Sequence, residues 1–144
     1  MRRLRSDDGS TLPLVAGFVA LALAVILTVT AASSLYLERK RLLNVADGAA
    51  LVGAEAFDLD AVSLDDGVVA PRLDTPDVEH AVLAYLAAEP TTDRAEIELE
   101  QAASLDGRSA TVTLSSQWTP PVLTFVLPNG VTVRVTSTAR SVFR

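Results

Sequence analysis

The chain has 144 residues, a formal net charge of -6 and no cysteine. Because domains usually hold ~100–150 residues, its length suits one small domain beside an apolar N-terminal segment. Acidic residues crowd between Asp58 and Glu100, where only Arg72 and Arg94 oppose them. Such a surface repels phosphate backbones, which argues against a nucleic-acid partner. The lack of cysteine excludes disulfides, thiolate catalysis and Cys-ligated zinc.

The first element is an uncharged segment from Leu12 to Leu37, preceded by a basic leader at residues 1–11. At ~1.5 Å per residue the segment makes a helix of about 39 Å, longer than the ~30 Å hydrocarbon core of a bilayer. A secretory signal has a shorter apolar region of ~7–15 residues, so cleavage near Ser33 is the less favoured alternative. The sequence therefore predicts a transmembrane helix over residues 12–37.

Basic residues do not orient this helix, since three of them precede it and three follow it. The Ser/Thr-rich C-terminal portion is typical of an exported β domain. We therefore expect a single-pass protein of the cell membrane, with a cytoplasmic N-terminus and an extracytoplasmic domain at residues 58–144.

Residues 38–57 continue the helix as an amphipathic rod, because apolar and small residues recur there at helical spacing. Polar residues such as Asn44 and Asp47 occupy the opposite face. Small residues form a ridge that lets another backbone or a sheet approach closely. The ridge consists of Ala46, Ala49, Ala50, Gly53 and Ala54. Packing of residues 45–57 on the protein's own domain is the favoured interpretation, and contact with another subunit is the alternative.

The elements after the helix are a loop, a short helix and strands. Residues 58–74 contain acids, Gly67 and Pro71 without a helical period and indicate a loop with a short extended piece. A helix is predicted from Thr75, as N-cap, to Pro90.

Apolar residues then recur at every second position, as in strands, around residues 97–99, 110–114 and 131–135. Asp106-Gly107 indicates a turn, and Asn129-Gly130 is a hairpin signal. The sequence predicts an α+β fold, in which the long N-terminal helix packs on a small antiparallel β-sheet.

No pattern in the sequence points to catalysis, a cofactor or a metal. His80, the only histidine, has no recognised catalytic partner and is expected to face solvent or to cap the helix. The acidic cluster around Asp65 lacks the ligand spacing of an EF-hand and indicates a solvated loop. Trp118 is assigned to the core or the sheet edge, because a small core with few aromatic residues needs it. We predict a protein that is not an enzyme.

The N-terminal portion resembles the TadE/TadG-like proteins of tight-adherence (Flp) pilus systems, in their short form. The residues that carry the resemblance are the basic start "MRRLRSDDGS", the apolar run and "SLYLERKRLLNVADGAALVGAEAF", together roughly residues 1–57. The resemblance implies a pilin-like architecture and a minor pilin or assembly component of a type IV pilus or related secretion system. It also implies partners: the lipid bilayer, other pilin-like or Tad secretion-system proteins, and homo- or hetero-oligomers formed through the N-terminal helix.

The same resemblance marks Gly9 and Ser10 as a candidate prepilin-type cleavage site, since prepilin peptidases cut after a glycine that follows a basic leader. The family usually carries a glutamate five positions into the mature chain, and Leu14 stands there instead. Asp7 and Asp8 also dilute the basic charge beside the site. We expect residues 1–9 to be retained as an uncut signal anchor.

A second hypothesis of a different class is a membrane-anchored extracytoplasmic binding module, whose helix is only a tether. The amphipathic continuation past Arg41 favours the pilin-like hypothesis, since a tether needs no apolar stripe outside the bilayer.

Overall fold

The structure is a computed structural model that describes residues 11–57, 63–65, 68–70, 72–88, 97–120 and 129–140. Its elements follow one another along the chain in this order: α1 (Leu12–Ala54), β1 (Ser63–Asp65), β2 (Val68–Ala70), α2 (Thr75–Ala88), β3 (Ile97–Ala103), β4 (Ser109–Trp118) and β5 (Val131–Arg140). The long helix and the small antiparallel sheet confirm the predicted α+β fold.

Helix α1 runs without a break for 43 residues. Pro13 lies in its first turn, where a missing N–H costs nothing because that group has no partner inside the helix. The first half of α1 is exposed, whereas its second half supplies buried residues from Leu42 to Ala54. Helix α1 thus has an exposed apolar first half and a second half that belongs to the domain core.

The sheet has three antiparallel strands in the order β3-β4-β5, so β4 is central. Both predicted turns lie at strand ends and use glycines of positive φ, Gly107 at 66° and Gly130 at 64°. At Gly130 a Cβ atom would also lie 2.6 Å from the carbonyl oxygen of Trp118, so any larger residue is excluded by contact as well as by conformation.

The β3–β4 turn is held by the carboxylate of Asp106. Its Oδ1 accepts hydrogen bonds from the backbone N–H groups of Arg108 at 2.9 Å and Ser109 at 2.6 Å. The Ser109 hydroxyl donates to Oδ2 at 2.9 Å. Because these donors stabilise the charged form, chiefly the N–H of Arg108, they lower the pKa of Asp106 to about 2.

The domain has two layers, with both helices on one face of the sheet. The second half of α1 lies over β4 and β5, and α2 packs against α1 and over β3. The side chains that are almost completely buried between the layers come from α1, α2 and β4, and include Leu42, Val78, Val82, Val112 and Leu114. The core therefore lies at the C-terminal half of α1.

Two details differ from the sequence prediction. Thr75 is inside α2, and its hydroxyl bonds to the backbone carbonyl oxygen and N–H of Ser104 at 3.2 and 3.3 Å, so it ties α2 to the end of β3 and does not cap its own helix. Part of the segment predicted as a loop forms the two-stranded hairpin β1–β2, in which Leu64 pairs with Val69. Pro90, expected to end α2, lies outside the described residues.

Candidate membrane and assembly surface

The apolar half of α1 is uncovered. Ten large apolar side chains between Leu12 and Val29 are each at least 54% exposed. The helix is long and apolar enough to cross a membrane, and none of its most apolar stretch of 18 residues is buried by the rest of the described protein. A core helix of a soluble protein would be covered by its own domain, so this surface is suited to lipid or to another apolar helix.

Polar groups within this half are satisfied by the helix itself. The Thr28 hydroxyl donates to the carbonyl oxygen of Ala24 at 2.7 Å, and the Thr30 hydroxyl donates to that of Ile26 at 2.8 Å. Unsatisfied polar groups cost several kcal/mol in hydrocarbon, about 4–8 for a hydroxyl without any partner. The two threonines are therefore compatible with a lipid-facing helix.

A row of polar contacts fixes α1 to the sheet. The indole N–H of Trp118 donates to Ser34 Oγ at 3.2 Å, and the Ser116 hydroxyl donates to Glu38 Oε1 at 2.9 Å. Further along, the Ser137 hydroxyl donates to Asp47 Oδ1. We call these three contacts the seam. Because Trp118 meets Ser34 and Ser116 meets Glu38, β4 runs antiparallel to α1, and the Trp118 end of the sheet lies beside the apolar half of the helix.

Charged residues follow the apolar half directly. Arg39 and Lys40 are exposed, whereas Glu38 turns toward the sheet and is also bonded by Arg41 at 3.4 Å. The exposed cations therefore lie within one turn after Leu37, a position that basic residues commonly take at the ends of transmembrane helices.

The small-residue ridge is covered by the protein's own domain. All five of its residues are buried. A Cβ atom on Gly53 would lie 3.1 Å from Val78 Cγ1, 3.2 Å from Ala110 Cβ and 3.3 Å from Val82 Cγ2, so α2 and β4 both approach the helix there. The ridge is thus packed against α2 and β4 of the protein's own domain.

The outer face of the sheet is polar, with hydroxyl pairs across β4 and β5. Thr111 bonds to Thr138 at 3.1 Å and Thr113 bonds to Thr136 at 3.0 Å. Beside them, Arg134 makes a two-pronged ion pair with Glu100, through Nε at 2.6 Å and Nη2 at 2.8 Å. The hydrogen bond from Arg134 lowers the pKa of Glu100, and the same bond raises the pKa of Arg134.

The remaining residues singled out from the sequence lie on α2 or in segments that are largely outside the described residues. His80 is exposed on α2. Within the described ranges, no group of three or more His, Cys, Asp or Glu residues could hold a metal ion. The candidate cleavage site at Gly9 and Ser10 lies outside the described residues, as does most of the acidic cluster around Asp65.

Sequence reasoning missed the seam. One sign was available: the alternation of Ala110, Val112 and Leu114 places Ser116 on the inner face of β4, where a polar residue needs a partner. The partner itself could not be found this way, because Glu38 is 78 residues away in the chain.

The N-terminal part of the chain matches a known protein family. Residues 9–56 match a family model described as putative Flp pilus-assembly TadE/G-like. This confirms the resemblance over 48 of the 144 residues, a segment that contains all of α1. No curated protein and no solved structure matches the chain.

Proposed function

We propose that this protein, TadE/G-like over residues 9–56, is a pilin-like membrane protein that serves as a structural or assembly component, a minor pilin, of a Flp/Tad type IV pilus or related secretion system. The observation that carries the proposal is the coincidence of the matched segment with α1, whose first half is uncovered and apolar and whose second half forms the domain core. The protein acts through helix contacts and not as an enzyme. Its partners are the lipid bilayer and other pilin-like or Tad proteins.

The apolar half of α1 serves both insertion and assembly in this proposal. Leu14 has no carboxylate that could pair with the N-terminal amine of a neighbouring subunit. In this proposal, subunits are therefore not aligned by such an ion pair. What remains is side-chain packing along the exposed helix, which suits a minor or membrane-resident component better than a repeating filament subunit.

The alternative is a membrane-anchored binding module. The observation in its favour is the polar outer face of β4 and β5, rich in threonine pairs. In that case the apolar half of α1 only holds the domain at the membrane, and its side-chain identities do not matter beyond hydrophobicity.

Exchange of the helix segment separates the two hypotheses. Residues 12–33 are replaced by an unrelated transmembrane sequence of equal length, while Ser34 and everything after it stay unchanged so that the seam and the core are kept. We expect the variant to insert in the membrane and fold normally but to lose crosslinking to Tad proteins and pilus formation in the organism that encodes it. The unaltered chain expressed at the same level is the control. Full pilus formation by the variant would favour the tether hypothesis.

The proposed orientation places the N-terminus in the cytoplasm and the domain outside. Since the natural chain has no cysteine, Leu105→Cys introduces one thiol at a position that is 85% exposed on the β3–β4 turn. We expect this thiol to react with a membrane-impermeant reagent in intact cells, and a thiol introduced by Ser6→Cys to react only after lysis.

An exported protein with one cysteine controls for passage of the reagent through the cell wall. The reverse labelling pattern would contradict the orientation. If the Ser6→Cys protein failed to react even after lysis, the first residues would have been removed, against the expected retention of residues 1–9.

A further inference from the structure

We propose that the Trp118 end of the sheet rests in the phospholipid headgroup region of the bilayer that α1 crosses, so that the domain lies directly on the membrane and is not held away from it. This inference deepens the proposed function and rests on its claim that α1 spans the membrane. The ligand is the phospholipid headgroup layer.

The sheet and helix α1 are rigidly linked. Trp118 is hydrogen-bonded to Ser34, and Ser116 to Glu38, on the same unbroken helix. The position of α1 along the membrane normal therefore sets the position of the sheet, with no hinge among these residues.

The length of the uncharged segment sets the depth of Trp118 in the bilayer. The uncharged segment that ends at Leu37 is about 39 Å long as a helix, which exceeds the ~30 Å hydrocarbon core but fits within the ~40–45 Å that includes both headgroup regions. If it is centred, each end extends about 4.5 Å into a headgroup region, or about three residues. Ser34 lies three residues before Leu37 and so marks the boundary between hydrocarbon and headgroups. Trp118 lies at the same level.

The side chains at the Trp118 end of the sheet suit a membrane interface. Tryptophan is favoured at membrane interfaces because its ring is apolar and its N–H needs a partner. Trp118 is half-buried, and its N–H is already satisfied by Ser34, so the ring can contact lipid without an unpaired donor. Beside it on the next strand, Val131 is 42% exposed.

Charge points to the same partner. Tyr36 and Leu37 are exposed just before the cations Arg39 and Lys40, which are exposed in turn. The nearest acid, Glu38, is engaged by Ser116 and Arg41 and does not compete for these cations. An apolar and aromatic level followed by exposed cations complements the glycerol and phosphate levels of a phospholipid layer.

The test uses Trp118 itself, the only tryptophan in the chain. The full chain is reconstituted in phospholipid vesicles that carry a nitroxide quencher either near the headgroup or at the end of the acyl chain. We expect the shallow quencher to remove most of the Trp118 emission, and the deep quencher and a water-soluble quencher to remove much less.

The matched control is the double variant Trp118→Phe with Leu105→Trp, which moves the fluorophore to an exposed turn at the opposite end of β4 and should escape both lipid quenchers. If the double variant does not fold, the comparison of the shallow, deep and water-soluble quenchers on the natural chain still decides whether Trp118 lies among the headgroups. Strong quenching from water with none from the shallow nitroxide would overturn the inference.

Flotation of the vesicles separates this failure from failure of the proposed function. If the protein floats with the vesicles but the shallow quencher does not affect Trp118, α1 still spans the membrane and only the proposed headgroup contact is contradicted. Protein that does not float contradicts the span itself, and the inference with it.

Discussion

Leucine in place of Gly53 is expected to lower the free energy of unfolding of the domain, whereas leucine in place of Gly17 is expected not to lower it. Even the first added carbon at Gly53 would lie 3.1–3.3 Å from side chains of α2 and β4, so these neighbours must move, and the further carbons of a leucine require more room still. Overpacking a close contact typically costs about 1–3 kcal/mol, which is a large fraction of the stability of a small domain. At Gly17 a Cβ atom would meet nothing within 4 Å.

The comparison is matched because both glycines lie inside α1 and both substitutions raise helix propensity by about the same amount, up to roughly 1 kcal/mol. The measurement is the free energy of unfolding in urea of the full chain in detergent, followed by Trp118 fluorescence. A Gly53→Leu protein as stable as the natural chain would mean that α2 does not pack against α1 as described.

Arginine in place of Leu23 is expected to weaken membrane insertion. Leu23 is 54% exposed in the middle of the uncharged segment, and no acidic group of α1 lies near it to pair with a cation. An arginine at the centre of a membrane helix costs about 2.5–3.5 kcal/mol on insertion scales. The variant should therefore shift from the membrane fraction toward the alkali-extractable fraction.

Leu105→Arg is the matched control, since it makes the same replacement at a turn residue that is 85% exposed. Extraction of membranes with alkaline carbonate, followed by detection of the protein in both fractions, gives the result. Equal retention of both variants in the membrane would argue that residues near Leu23 do not lie in hydrocarbon.

Most elements follow from local pattern. Leu12–Leu37 lacks charge altogether, which predicts a span by length and composition, and the helical spacing after Arg41 predicts that α1 continues. The alternation at Ala110–Leu114 and the Asn129-Gly130 signal predict strands β4 and β5 and the turn before β5. These properties depend on residues close together in the chain, where periodicity and turn chemistry are sufficient.

Which element packs against a given helix face depends on the tertiary structure. The small residues around Ala50 allow any close neighbour, and only the fold shows that α2 and β4 are that neighbour. Thr75 has the residue type of an N-cap, but the end of β3 approaches closely enough to take its hydroxyl.

The sequence by itself determined that the chain has a membrane-type helix, a TadE/G-like N-terminal segment and an antiparallel β portion, because length, charge and period are properties of consecutive residues. Only the tertiary structure decided that the sheet lies along α1 with Trp118 at Ser34 and Ser116 at Glu38. Each of those contacts joins residues about eighty positions apart. A hydrogen bond between such distant residues produces no periodic pattern from which it could be predicted. The packing of two helices on one sheet face brings them together, and that packing places the Trp118 end of the domain beside the apolar half of the helix.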